Sequence, residues 1–152
     1  MLPLLLRTEA TFISLQKDLR DGDAGLLRAN GQITQLGSEL ATYDDTAAVV
    51  SLLDLVITTD TSVAHLVGAL GKPAWILLPF NPDWRWLLDR EDSPWYPTMR
   101  LFRQAVADDW TGVIERVGAE LNRLLSARDP SSHPAGGGAE TDPGLAGKLI
   151  VP

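Results

Sequence analysis

One stretch constrains the fold more than any other: residues 54–80, DLVITTDTSVAHLVGALGKPAWILLPF. Residues 54–58 form an apolar, β-branched run of buried-strand length. Thr59, Asp60, Thr61 and Ser62 follow, a cluster of short polar residues where a helix should begin. Residues 63–70 are apolar on most faces. Gly71 and Pro73 then stop the helix where a C-cap and a breaker belong, and residues 74–78 read as the next strand. The unit is strand, helix, strand. In open α/β sheets ligands bind at the carboxyl ends of the strands, and the loop carrying residues 59–62 lies there. The amides and positive dipole end of the helix that follows make this loop a natural seat for a phosphate.

A plainer reading fits the same residues. Asp60 or Thr61 can serve as the N-cap, accepting a hydrogen bond from an orphan amide. His65 lies four residues after Thr61, on the same helical face. A single histidine on an apolar helix is commonly a hydrogen-bonded core residue, so His65 reads either as that or as a ligand-touching group.

The rest of the chain continues the alternation. Residues 11–15 read as a strand and 16–22 as a polar loop. A short helix over 23–29 and a short strand over 32–36 come next. Asp44, Asp45 and Thr46 read as the cap of a helix reaching about residue 53. Residues 99–103 are a final strand. Residues 110–125 are an amphipathic closing helix, with Val113, Ile114, Val117, Leu121, Leu124 and Leu125 at helical spacing. Alternating strands and helices imply a parallel sheet covered on both faces, a Rossmann-like α/β domain over residues 1–127. Residues 128–152 combine Pro130, Pro134, Pro143 and Pro152 with a Gly136-Gly137-Gly138 run. They have no period apart from a short apolar end at 149–151. Such a segment cannot offset its ordering entropy, so it is expected to be disordered and removable without loss of stability.

Residues 81–97 form a long connection on the ligand side of the sheet. Its tryptophans, Trp84, Trp86 and Trp95, and Tyr96 argue against disorder. It reads as a wall of the site, with aromatic rings against a base or sugar and Arg85 or Arg90 against phosphate. Alternatively it is a satellite core that only pins the loop, the reading that suits Trp86 and Trp95 better. Arg85 fits both. Lys17, just past the first strand, is either a solvated loop residue or a point charge for a diphosphate.

Composition narrows the classes. The chain has 152 residues, is 45% hydrophobic and carries a formal charge of −7, which suits one globular domain and argues against nucleic acid or an anionic membrane as partner. With no cysteine, disulfides and thiolate metal sites are excluded. There are two histidines, and His133 lies in the tail, so no histidine metal cluster is expected. Residues 1–6 are apolar but too short for a signal peptide or membrane span, so a cytoplasmic protein is the default expectation.

Several of these words occur together elsewhere. Asp60-Thr61-Ser62-x-x-His65-Leu66-x-x-Ala69-Leu70-Gly71-Lys72-Pro73 resembles the Asp-Thr-x-x-x-His-Leu-x-x-Ala-Leu-x-x-Pro pattern of the heptosyltransferase-like glycosyltransferases of family nine. Phe12-Ile13-Ser14-Leu15-Gln16-Lys17-Asp18, Leu78-Pro79-Phe80, Pro82-Asp83-Trp84-Arg85-Trp86, Ser93-Pro94-Trp95-Tyr96-Pro97 and Leu101-Phe102-Arg103-Gln104 resemble the version at the C-terminus of bacterial tetratricopeptide-repeat glycosyltransferases. The likeness covers about residues 1–125. It implies one half of a GT-B fold, the C-terminal domain that holds a nucleotide-sugar donor in an inverting, metal-independent enzyme. By that resemblance Thr61, Ser62, His65 and Lys17 would hold the donor diphosphate. Asp60, Asp83, Trp84 and Arg85 would wall the donor site.

The resemblance also implies what these residues do not supply. The acceptor site and the carboxylate base belong to the N-terminal half of such enzymes, so no catalytic residue is assigned, and a matching N-terminal half or partner chain is expected. No cofactor is expected, the nucleotide sugar being the substrate. Transfer needs the acceptor hydroxyl positioned and deprotonated while the leaving diphosphate is stabilised. Only the last task maps onto this chain. The alternative is a non-catalytic nucleotide-binding or assembly module.

Overall fold

The structure, a computed structural model, describes residues 10–18, 25, 33–128 and 148–151. The expected helix over 23–29 lies outside them except for Gly25, which is helical. The strands are β1 (Thr11–Ser14), β2 (Ile33–Gln35), β3 (Leu55–Thr59), β4 (Ala74–Leu78), β5 (Met99–Arg103) and β6 (Lys148–Val151). The helices are α1 (Tyr43–Ser51), α2 (Ser62–Ala69) and α3 (Trp110–Arg128), and Trp84–Trp86 form one 3-10 turn. The six strands make a single sheet in the order β2-β1-β6-β3-β4-β5. Every neighbouring pair is parallel, a Rossmann-like α/β architecture.

Strand alternation sorts the core into two layers. Leu55, Ile57, Trp75, Leu77 and Phe102 face α3, where Val113, Val117 and Leu121 meet them. Val56, Ala74, Ile76, Leu78, Met99 and Leu101 face the other way, against Val50 of α1 and Ala64 and Val67 of α2. Strands buried on both faces read as near-continuous apolar runs, as 55–57 and 74–78 do; β3 runs one residue later than 54–58, from Leu55 to Thr59, and includes the buried Thr58. The right-handed crossover rule accounts for the layering. The connections through α1 and α2 move across the sheet in one direction and share a face. The connection through α3 returns towards β6 and covers the opposite face.

Helix ends follow local chemistry. After α2, Gly71 adopts φ 64°. Its N–H donates to the Gly68 carbonyl, and the Lys72 N–H to that of Val67, the Schellman arrangement that favours glycine at this position. The cap of α1 lies earlier than Asp44, Asp45 and Thr46 suggested. Thr42 is the N-cap, and Asp45, three residues on, closes a capping box with it. The Asp45 carboxylate accepts from the Thr42 and Ala41 amides. Those hydrogen bonds, with the Thr42 backbone contribution largest, hold its pKa below the ordinary aspartate value.

The main departure from the sequence expectation concerns the tail. The disorder expected for residues 128–152 does not hold for Lys148–Val151. This short strand lies in the middle of the sheet, pairing with β1 from Thr11↔Lys148 to Ser14↔Val151 and with β3 at Leu55↔Leu149 and Val56↔Ile150. Residues 129–147 lie outside the described set.

The strand order also locates the crevice. From β1 the chain moves one way to β2, then crosses back over β1 to β3 and continues to β4 and β5. The reversal lies between β1 and β3, on either side of β6, and ligands of such sheets bind outside the carboxyl ends of the strands at that point.

Candidate functional site

The carboxyl end of β3 runs directly into α2. Thr61 is the N-cap residue of α2, in extended conformation, but its side chain makes no capping hydrogen bond. The Thr61 hydroxyl instead lies 3.4 Å from that of Thr58, with either able to donate. The Ala64 amide donates to the Thr61 carbonyl at 3.0 Å, and the first turn of α2 presents the amides of Ser62 and Val63, which the N-cap side chain does not take. Thr61 and Ser62 are both exposed there.

His65 sits one turn further along and is held from three sides. Its ring stacks on the Trp86 indole at 5.6 Å between centroids and 18° between planes. Its Nδ1 lies 3.1 Å from the Tyr96 hydroxyl. Its Nε2 is 3.9 Å from Asp60 Oδ1, an ion pair when the imidazole is protonated. His65 thus combines both sequence readings: it is hydrogen-bonded and stacked, yet borders open space.

The long connection after β4 wraps over this helix. Trp86 is 1% exposed and belongs to the α2-side core. Trp84 is 70% exposed and Trp95 59%. The pinning role expected of Trp86 and Trp95 thus divides. Trp86 is core, whereas Trp95 stands in solvent with its indole N–H donated to the Arg85 carbonyl at 2.9 Å. Arg85 pairs with Asp83 at 2.8 Å and lies over the Trp84 ring at 5.4 Å. Asp83 also accepts from the Arg85 amide. His65, Trp84, Arg85, Trp86, Trp95 and Tyr96 together line a cleft of about 490 Å³, within the range of small-molecule sites.

Arg103 holds the loop in place. It shares the β5 face of Met99 and Leu101, and it donates to the carbonyls of Trp86 and Arg90. Between those carbonyls Leu87 and Asp89 have φ 55° and 54°, conformations that non-glycine residues keep only when surroundings impose them. Burial pushes the Arg103 guanidinium pKa down, and the charge of Asp89 opposes that. Next to it the buried Gln104 accepts the Phe80 amide through Oε1.

Of the eight residues singled out in the sequence, the structure gathers Asp60, Thr61, Ser62 and His65 at the start of α2. Trp84 and Arg85 meet His65 across the cleft, and Asp83 joins them through its pair with Arg85. Lys17 stands apart. Its ammonium donates to the Ala41 carbonyl at 3.4 Å, and β6 separates its strand from β3, two strand spacings or about 10 Å. Sequence reasoning missed Tyr96 as the partner of His65, because 31 positions separate them. A signal was present in Gly68: a Cβ there would meet the Tyr96 ring at 2.4 Å, so a side chain on this turn would exclude the tyrosine. Gly68→Ala is expected to cost about 1–3 kcal/mol by overpacking, read as a lower urea midpoint. Tyr96→Phe, which loses a single hydrogen bond, should cost about 1 kcal/mol.

Comparison with known proteins adds little identity. No family model matches the chain, and no solved structure matches it. The chain is 35% identical over 87 residues to Protein FlbA of Caulobacter vibrioides, an alignment spanning 57% of this chain and 14% of FlbA. Among the described residues, no helix is long and apolar enough to cross a membrane.

Proposed function

We propose that this chain is the donor-binding half of a glycosyltransferase-like protein, and that the start of α2 holds the diphosphate of a nucleotide sugar. The observation that carries the reading is the N-terminus of α2. It opens at the carboxyl end of β3 beside the switch point, with an N-cap threonine whose side chain does not cap it. Backbone amides of the first turn, the hydroxyls of Thr61 and Ser62, and His65 one turn on make a set of donors suited to phosphate oxygens. The resemblance of Asp60-Thr61-Ser62-x-x-His65 to the family-nine pattern points the same way. These donors would stabilise a leaving diphosphate. The acceptor and the base would come from another domain or chain, so sugar transfer is not expected from these residues alone.

The test is thermal. A ligand bound only by the native state raises stability by RT ln(1 + [L]/Kd), about 2.7 kcal/mol at a hundredfold excess over Kd. ADP, GDP or UDP, or one of their sugars, is expected to raise the melting temperature, and the matching nucleoside without phosphate to raise it much less. Thr61→Ala combined with Ser62→Ala should remove most of the shift and leave the ligand-free melting temperature nearly unchanged, since neither side chain is buried. No shift with any of these diphosphates at millimolar concentration would refute the reading.

A further inference from the structure

We propose that the aromatic cleft beside α2 is a seat for a neutral pyranose ring, packed against Trp84 and Trp95. This rests on the nucleotide-sugar reading above and specifies which part of the donor the cleft takes. Three observations carry it.

The first is the state of the two indoles. Trp84 and Trp95 are the most exposed aromatic residues bordering the cleft, and they are not loose. Trp95 is fixed by its hydrogen bond to the Arg85 carbonyl, and Trp84 is covered on one side by the Arg85 guanidinium. Large apolar rings kept in water but held in position form a surface prepared for a partner with an apolar face.

The second is charge. Arg85 is the cation of the cleft, and Asp83 neutralises it at 2.8 Å. A paired guanidinium is a poor seat for a diphosphate, so the phosphates fall to the start of α2 and the cleft is left for an uncharged group. The third is the match of polar groups. A pyranose offers an apolar C–H face and a rim of hydroxyls that both donate and accept. Arg85, which lines the cleft over the Trp84 ring, donates, and Asp83 beside it accepts. His65 lines the cleft and also lies one turn from Ser62, so a ring in the cleft and a diphosphate on the helix would be neighbours. At about 490 Å³ the cleft has room for a pyranose and its substituents.

Saturation-transfer NMR on the full chain tests this with methyl pyranosides of glucose, galactose, mannose and N-acetylglucosamine, and separately with UDP and ADP. The expected result is saturation of ring C–H protons of at least one pyranoside at millimolar concentration. That signal should fall several-fold in Trp84→Ala and in Trp95→Ala and persist when Thr61 and Ser62 are both replaced by alanine. Both tryptophans are exposed, and circular dichroism of each variant should match the parent. Pyranoside binding without nucleotide binding would uphold the cleft and refute the diphosphate seat. Nucleotide binding without any pyranoside signal would do the reverse. Saturation of the UDP or ADP base protons that depends on Trp84 or Trp95 would overturn the proposal by showing that the cleft takes the base.

Discussion

A chain ending at residue 147 is expected to lose most of its cooperative stability. Lys148–Val151 supply the strand between β1 and β3, and without it, among the described residues, no strand pairing joins β2–β1 to β3, β4 and β5. A lone pair of short strands is at best marginally stable in water. The exposed edges of β1 and β3 would also be open to pairing with other chains. Ile150→Pro is the sharper variant. Ile150 pairs with Ile13 on one side and Val56 on the other, and proline in an interior strand removes a ladder donor and crowds the neighbour. One unpaired buried acceptor costs about 1–3 kcal/mol. With the steric term the total should reach about 3 kcal/mol or more, a large share of the stability of an ordinary domain. Urea titration of the parent, the truncation and Ile150→Pro checks this. Melting behaviour unchanged by either alteration would show that the strand adds nothing to the sheet.

Trp86→Ala is expected to cost about 3–5 kcal/mol, the usual range for emptying a buried tryptophan site. Trp86 is almost fully enclosed, packs in the same cluster as Ala64, Val67, Met99 and Leu101, and forms the floor under His65. Its indole Nε1 is buried with no hydrogen-bond partner, which already costs the native state something on the order of 1–3 kcal/mol. Trp86→Phe removes that donor while keeping most of the ring, so it should cost far less than alanine. The ordering Phe above Ala, measured by urea midpoint at unchanged m-value, is the diagnostic. Equal losses for the two would mean that the indole N–H is satisfied in solution and that volume is not what matters at this position.

The strand-helix-strand core was legible because its signals are local. The β-branched run of β3, the polar break at residues 59–62 and the Gly71-Lys72-Pro73 stop each act within a few positions, and β4 and β5 fall where the apolar runs place them. The strand β6 was not legible. Four residues after a glycine-rich and proline-rich segment carry no period long enough to read, and only pairing with β1 and β3, more than 90 positions away in sequence, defines them. The cap of α1 was misplaced for a local reason: Asp44 and Asp45 and the earlier Thr42 all suit a helix start, and the capping box selects Thr42. At the site, the α2 residues were readable from their order. The Tyr96–His65 bond, the Arg103 clamp and the solvent-facing Trp95 arise from the fold of the long connection, where tertiary contacts rather than local pattern decide which aromatic is buried.

The central claim is that the first turn of α2 binds diphosphate. The most direct measurement is an amide chemical-shift titration of the isotopically labelled chain with UDP, GDP and ADP, each against its nucleoside. The account predicts that at least one diphosphate moves the amides of Ser62 and Val63 in a saturable way. The nucleoside should leave them nearly still, and the joint replacement of Thr61 and Ser62 by alanine should weaken the response. Diphosphate-induced shifts confined to another part of the sheet edge, or none at saturating concentration, would contradict it.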